Sequence, residues 1–203
     1  MDLKKHEELL NQLKADDAEV VLDGAVDNDQ WSGQKDKRIL WILKETNECP
    51  RDNDLRKLLN ELASTQKPNK IYAKWKATYG LVVKVSYGLL NGYDELGKWA
   101  DNVDTARGVL KEIAVINVNK RAGINKTDSK KLLKDAEEFH DTILKQIELL
   151  DPDIIILGGV KSALSKWLPD NDSRRKWIAV DHPGQRRLTH RQYYNSILEH
   201  LKA

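Results

Sequence analysis

Four short apolar runs break up a chain that is otherwise patterned for helices. They are "RILWIL" (38–43), "EIAVINV" (112–118), "DIIILG" (153–158) and "WIAV" (177–180), each brief, rich in β-branched residues and bounded by polar positions. Continuous apolar runs of this length suit strands buried on both faces. Between them the period changes to that of a helix. "DNDLRKLLNELAS" starts with an Asp able to cap a helix, 71–90 carries apolar residues at mixed helical spacing, and 128–150 repeats with a clear 3.6-residue period. Pro152 follows that last helix and leads directly into the third strand run. "VKSALSKWL" is a short helix, "HRQYYNSILEHLK" closes the chain, and "MDLKKHEELLNQLK" reads as an amphipathic helix at the N-terminus. Strands alternating with helices predict a parallel sheet covered on both faces. The expected fold is therefore α/β, a three-layer α/β/α sandwich around a central four-stranded parallel sheet. One domain spans 1–203, with 1–37 as a helical extension packed on it.

Ligands of such sheets sit beyond the carboxyl ends of the strands. That directs attention to the four strand exits, "KETNEC", "NKRAGINK", "GGVKS" and "DHPGQRR". In the first, Glu45 and Asn47 offer a carboxylate and an amide that can orient and deprotonate a water. The bland alternative is a polar turn before a capped helix. In the second, Asn117 and Asn119 lie two apart, on one face if the strand persists, and an amide can read one edge of a nucleobase. Lys120 and Arg121 would suit phosphate. The third resembles a glycine-rich phosphate loop but lacks the first glycine of GxxxxGK[ST], so its glycines read better as a tight turn with close helix packing. Lys161 stands at that helix N-terminus, which favours an anion. The fourth supplies His182, a Pro-Gly turn, then Arg186, Arg187 and His190.

Composition narrows the classes. The 34 basic and 32 acidic residues nearly cancel, so any electrostatic footprint for nucleic acid must be local. A single cysteine, Cys49, excludes an internal disulfide and a multi-cysteine metal site. No apolar run approaches a membrane span and the N-terminus lacks a signal-peptide core, so a soluble cytoplasmic protein is expected.

Taken in chain order, the four exits resemble the uracil-DNA glycosylase superfamily. "LKETNE" occupies the place of its water-activating motif. "VINVNKRAG" is similar to its second-strand segment, "LLDPDIIILGGVKSAL" to its Pro-led third strand, and "VDHPGQRR" to its His-Pro motif. The resemblance covers 38–203. The first motif lacks the usual glycine and proline, Gly184 stands where a serine is common, and the iron–sulfur cysteines are absent. The resemblance implies a monofunctional DNA N-glycosylase that needs neither metal nor organic cofactor, acts as a monomer and binds double- or single-stranded DNA. It would flip a deaminated or modified pyrimidine into a pocket. In that reading His182 donates to the base oxygen as negative charge develops. Asn117, with Asn119, reads the base edge. Glu45, or Asn47 in its place, positions water. Tyr72, Trp75, Tyr79, Tyr87 and Tyr93 are the aromatic candidates for stacking, Tyr87 foremost. Lys120, Arg121, Lys126, Lys161, Arg186 and Arg187 gather on phosphates, and Gln185 or Leu188 wedges the duplex. Two other readings stay open: a catalytically silent DNA-binding relative acting as a sensor or inhibitor, and a nucleotide-binding enzyme built around "GGVKS".

Overall fold

The computed structural model describes residues 1–34, 37–46, 53–65, 70–97, 103–123 and 128–202, with backbone alone for 70–75, 77, 103 and 105. Its elements run α1 (Leu3–Asp16), β1 (Gly24–Ala25), α2 (Asn28–Gly33), β2 (Ile39–Leu43), α3 (Leu55–Ser64) and α4 (Lys70–Leu90). Then come α5 (Val103–Ala106) with a 3-10 turn (Arg107–Glu112), β3 (Ala114–Asn117), α6 (Ser129–Leu150), β4 (Ile154–Gly158), α7 (Lys161–Leu164), β5 (Lys176–Val180) and α8 (His190–Lys202).

All four apolar runs become parallel strands. β2 pairs with β3 (Leu40↔Ala114) and with β4 (Ile39↔Ile154), and β4 pairs with β5 (Ile154↔Lys176). The expected four-stranded sheet is nevertheless incomplete. Among the described residues the sheet has five strands in the order β1-β3-β2-β4-β5, and β1 runs antiparallel along β3. The segment expected as a helical extension thus also supplies an edge strand. Two residues carry no hydrophobic period, so this strand is invisible to pattern reading. Gly24 has φ +135° and faces the ring of His6 where a Cβ would sit, so only glycine fits there.

Helix boundaries follow the capping chemistry. Asp54 accepts from the amides of Arg56 and Lys57 to start α3, and Asp128 accepts from Lys130 N to start α6. Asp151 ends α6 in the left-handed region at φ 51°, just before Pro152. Alternation then sorts the sheet. Ile39, Trp41, Leu43, Val115 and Ile178 face the layer of α3, α4 and α8, while Leu40, Ile42, Ile116 and Ile155 face α6 and α7.

A buried polar chain joins the N-terminal segment to this frame. Gln146 of α6 donates through Nε2 to Asp23 Oδ1 at 2.9 Å and to His6 Nε2 at 3.3 Å. Asp23 also accepts from Lys120 Nζ at 3.0 and 2.9 Å and from Asn117 N at 2.7 Å. Burial pushes His6 down to about 4, and burial with the nearby Lys44 charge does the same to His182. Both rings are therefore neutral in the fold, whereas the unfolded chain binds a proton on each below about pH 6.5. Stability is expected to fall as pH drops from 6.5 toward 4, by about 1.4 kcal/mol per pH unit for each histidine, and this contribution levels off below 4. Urea midpoints measured across that window check it, since His182→Ala should remove about half of the slope.

Candidate functional site

The exits of β2, β3, β4 and β5 lie side by side at one edge of the sheet, and backbone bonds hold them past the strand ends. Val118 N donates to Leu43 O at 2.8 Å, Asn119 N to Lys44 O at 2.9 Å and Gly123 N to Thr46 O at 2.8 Å. On the other side Gly159 N donates to Val180 O at 2.8 Å. The glycine pair then has a steric purpose. A Cβ on Gly158 would meet Leu43 Cδ2 at 2.6 Å and Pro183 Cδ at 3.0 Å. One on Gly159, where φ is +74°, would meet the His182 backbone N and Cβ at 3.0 Å. Bare backbone here lets the β5 exit fold across β4 toward β2. The "GGVKS" stretch is accordingly a packing device, and the helix it opens is only 4 residues long.

His182 is fixed by its surroundings. Its Nδ1 accepts from Gly184 N at 3.0 Å, which assigns the ring proton to Nε2 and makes that nitrogen a donor. Tyr193 of α8 donates to Asp181 O at 2.7 Å and pins the preceding residue. A Cβ on Gly184 would come within 3.2 Å of Thr78 Oγ1, so the His-Pro turn packs under α4. Lys44, half-buried at the β2 exit, is near enough to help keep His182 neutral, and among the described residues no carboxylate pairs with it.

Asn117 ends β3 on the same sheet face as Val115, the face covered by α4. It is 1% exposed. Its Nδ2 donates to Thr46 Oγ1 at 2.7 Å, and its Oδ1 is buried with no partner among the described residues. The approach of Gly184 to Thr78 sets the His182 turn under α4, the layer that also covers the Asn117 face. Within the sheet β3 and β5 stand three strand spacings apart, roughly 14 Å.

Glu45 lies on the β3 side of this edge with its side chain 6% exposed. Its carboxylate packs against Gly123, where any Cβ would collide with it. Asn119 Nδ2 reaches Glu45 Oε2 at 3.4 Å, and Lys131 Nζ lies 3.9 Å from the same oxygen. This corrects one expectation. Asn119 is buried, its Oδ1 accepts from Arg121 N at 2.9 Å, and both ends of its amide serve neighbours rather than a base. Asn47, Cys49 and Lys126 lie outside the described residues.

The expected ring of cations divides. Lys120 is 1% exposed and bound to Asp23 inside the fold, so it cannot meet phosphate. Arg121 is engaged by Asp17 at 2.6 Å and Glu138 at 2.7 Å and lies over Phe139, so its fork is already occupied. Lys161 and Arg186 are exposed and, among the described residues, have no ion-pair partner. Arg187 pairs with Asp181 through both oxygens at 2.8 Å, yet its side chain is 78% exposed. A pair so open to water is weak and can be exchanged for phosphate. Gln185 is folded into its own turn, accepting from Arg187 N at 2.6 Å and Leu188 N at 2.8 Å. Leu188, the other residue expected as a wedge, is exposed beside it.

Tyr87 is also corrected. Thr78, midway along α4, lies beside the His182 turn, and Tyr87 lies nine residues on, about 13 Å along the axis. Lys37, before β2, donates to Leu89 O at 3.2 Å, so that end of α4 lies at the opposite sheet edge. Tyr87 packs on the core there, with the Tyr93 ring 6.2 Å away, and Tyr79 is core as well. The side chains of Tyr72 and Trp75 are not among those described.

Sequence reasoning gave no role to Lys44, Thr46, Asp23 or Gly123. Lys44 and Thr46 sit in a flagged exit, where position alone could have nominated them. Asp23 sits in a stretch without periodicity, and nothing in the sequence pairs it with Lys120. No protein-family model matches the chain, and no curated protein sequence matches it.

Proposed function

We propose that this chain is a divergent member of the uracil-DNA glycosylase superfamily, a DNA N-glycosylase that hydrolyses the bond between deoxyribose and a flipped pyrimidine. One observation carries the reading. His182 is neutral, its Nδ1 is committed to Gly184 N, and its Nε2–H is left as a preorganised donor at the strand exits. As the glycosidic bond breaks, electrons move to the base and positive charge grows on the sugar. A fixed N–H facing the base oxygen stabilises that anion more than the neutral ground state. Lys44 adds a positive charge to the same side. Asn117 supplies the base-edge contact through the end of its amide not bound to Thr46, and Glu45 holds the water and faces the sugar cation. Uracil, another deaminated base and a bulky modified pyrimidine all fit this chemistry.

Mass spectrometry of bases released from a panel of natural and modified DNAs tests the proposal. Release of one base with a matching abasic site supports it, and no release from any member of the panel sinks it. One observation favours a catalytically silent DNA-binding relative instead: the Glu45 carboxylate is almost fully covered. That reading requires DNA binding without abasic sites.

Phosphate contacts should rest on the free cations. Arg186→Ala is expected to lower the slope of log affinity against log salt by about one unit while leaving single-turnover release at saturation unchanged. Lys120→Ala should not reproduce that pattern, because its charge is internal. Binding titrations between low and moderate salt give both values.

A further inference from the structure

A second cleft, about 490 Å³ in volume, opens at the other edge of the sheet, where β5 begins. Late α6 forms one wall, and Trp167, the turn after it and Trp177 form the rest. The strands run about 17 Å from this edge to the exits that carry His182, so the two sites do not overlap.

The walls combine flat aromatic surface with positive charge. Trp167 is half-buried, and one face is stacked on His140 with the ring centroids 4.6 Å apart. Trp177 is oriented by its Nε1, which donates to Asp172 Oδ2 at 3.1 Å. The two carboxylates in the lining are already matched. Asp172 is bound to Arg175 at 3.2 Å and to Trp177, and Glu148 to Lys145 at 3.0 Å. Hydrogen bonding from Lys145 and the nearby arginine charges hold the Glu148 carboxyl below its usual range, so it adds no proton chemistry. Positive charge is left over. Arg174 is exposed in the lining and, among the described residues, no carboxylate pairs with it. Arg175 lies beneath, its side chain 7% exposed and already balanced by Asp172 at 3.2 Å and Asp151 at 3.8 Å, with its Nε unpartnered among the described residues. Lys166 Nζ sits 5.9 Å from the centroid of the Trp167 ring.

We infer that this cleft binds a nucleotide unit, with the base against the indoles and the phosphate on Arg174. Its volume falls within the range of small-ligand sites, roughly 300–1,000 Å³. A nucleobase stacks on any exposed indole face, and a guanidinium forks onto phosphate oxygens. The unit is either a free mononucleotide or one residue of a DNA strand, and the inference does not depend on the glycosylase reading.

Calorimetric titration of the full chain with thymidine 5′-monophosphate, thymidine, inorganic phosphate and a five-residue oligothymidylate separates the cases. The monophosphate is expected to bind more tightly than thymidine or phosphate alone. Arg174→Gln should weaken it roughly tenfold without changing thymidine binding. Trp167→Leu should weaken nucleoside and nucleotide alike, and the exposed Arg174→Gln keeps the test decisive if that variant fails to fold. If only the oligonucleotide shows both losses, the occupant is a DNA strand. The inference is overturned if neither nucleotide form responds to Arg174→Gln, or if inorganic phosphate binds as well as the monophosphate. Base release, where it occurs, should be unchanged in Arg174→Gln, so failure here and failure of the glycosylase proposal are separate results.

Discussion

His182→Ala is expected to slow base release in single turnover by roughly 10²–10³ while leaving DNA affinity within a few fold. The asymmetry follows from when the interaction is made. The base oxygen bears full negative charge only after the glycosidic bond has stretched, so a donor aimed at it contributes to the transition state and little to binding. His182→Gln keeps an N–H of similar reach and should recover part of the loss, which a purely structural histidine would not do. The ring is held down to about 4 by burial first and by Lys44 second. The pH–rate profile should therefore show no inflection near 6.5, because the working form is neutral across that range. A break near 6.5 that disappears in His182→Ala would mean the imidazolium takes part. Glu45→Gln should slow release without weakening binding if Glu45 holds the water. If it is harmless and Asn47→Ala is severe, the water belongs to Asn47. Full activity of His182→Ala on the true substrate would reduce the His-Pro motif to a turn.

The strands and long helices were legible because burial on two faces writes continuous apolar runs and burial on one writes a 3.6-residue period. The carboxyl edge followed from the order of those elements, and His182 and Asn117 from their places on it. What failed was the reading of charge. Lys120 and Arg121 looked like phosphate ligands because sequence shows a cation but not its counterion. Their partners, Asp23, Asp17 and Glu138, come from 97 residues before Lys120 and from 104 before and 17 after Arg121. Asn119 and Tyr87 failed for a related reason. An amide two residues past Asn117 is as easily a brace for Glu45, and a tyrosine late in α4 reaches the other edge of the sheet. Gly123 escaped notice because its meaning lies in the space it leaves for Glu45.

Asp23→Ala is expected to destabilise the fold by about 3–5 kcal/mol, the cost of stranding a buried charge after its partner is removed. Lys120 Nζ is wholly buried and both Asp23 oxygens bind it. Burial pushes the lysine down, and Asp23 is the group that opposes this, so without the carboxylate the ammonium must lose its proton or the region must open. The damage should also reach the site, because the same carboxylate accepts from Asn117 N and from Gln146. Lys120→Met alone removes the counter-charge of a buried aspartate that keeps two donors, Asn117 N and Gln146 Nε2, so its loss should be smaller. Asp23→Ala combined with Lys120→Met removes both charges and should recover part of the lost stability, the rest being the cost of the buried donors Asn117 N and Gln146 Nε2 that lose their acceptor. Urea unfolding at pH 7 of the four proteins gives the coupling. Hydrogen exchange at Asn117 N adds a local readout: the double variant should be more stable than Asp23→Ala yet exchange faster there than the wild type, because the acceptor is gone. Site and N-terminal segment would then share one buried carboxylate. An Asp23→Ala loss under 1 kcal/mol would show instead that the lysine finds water, and that the N-terminal segment is held by its apolar contacts alone.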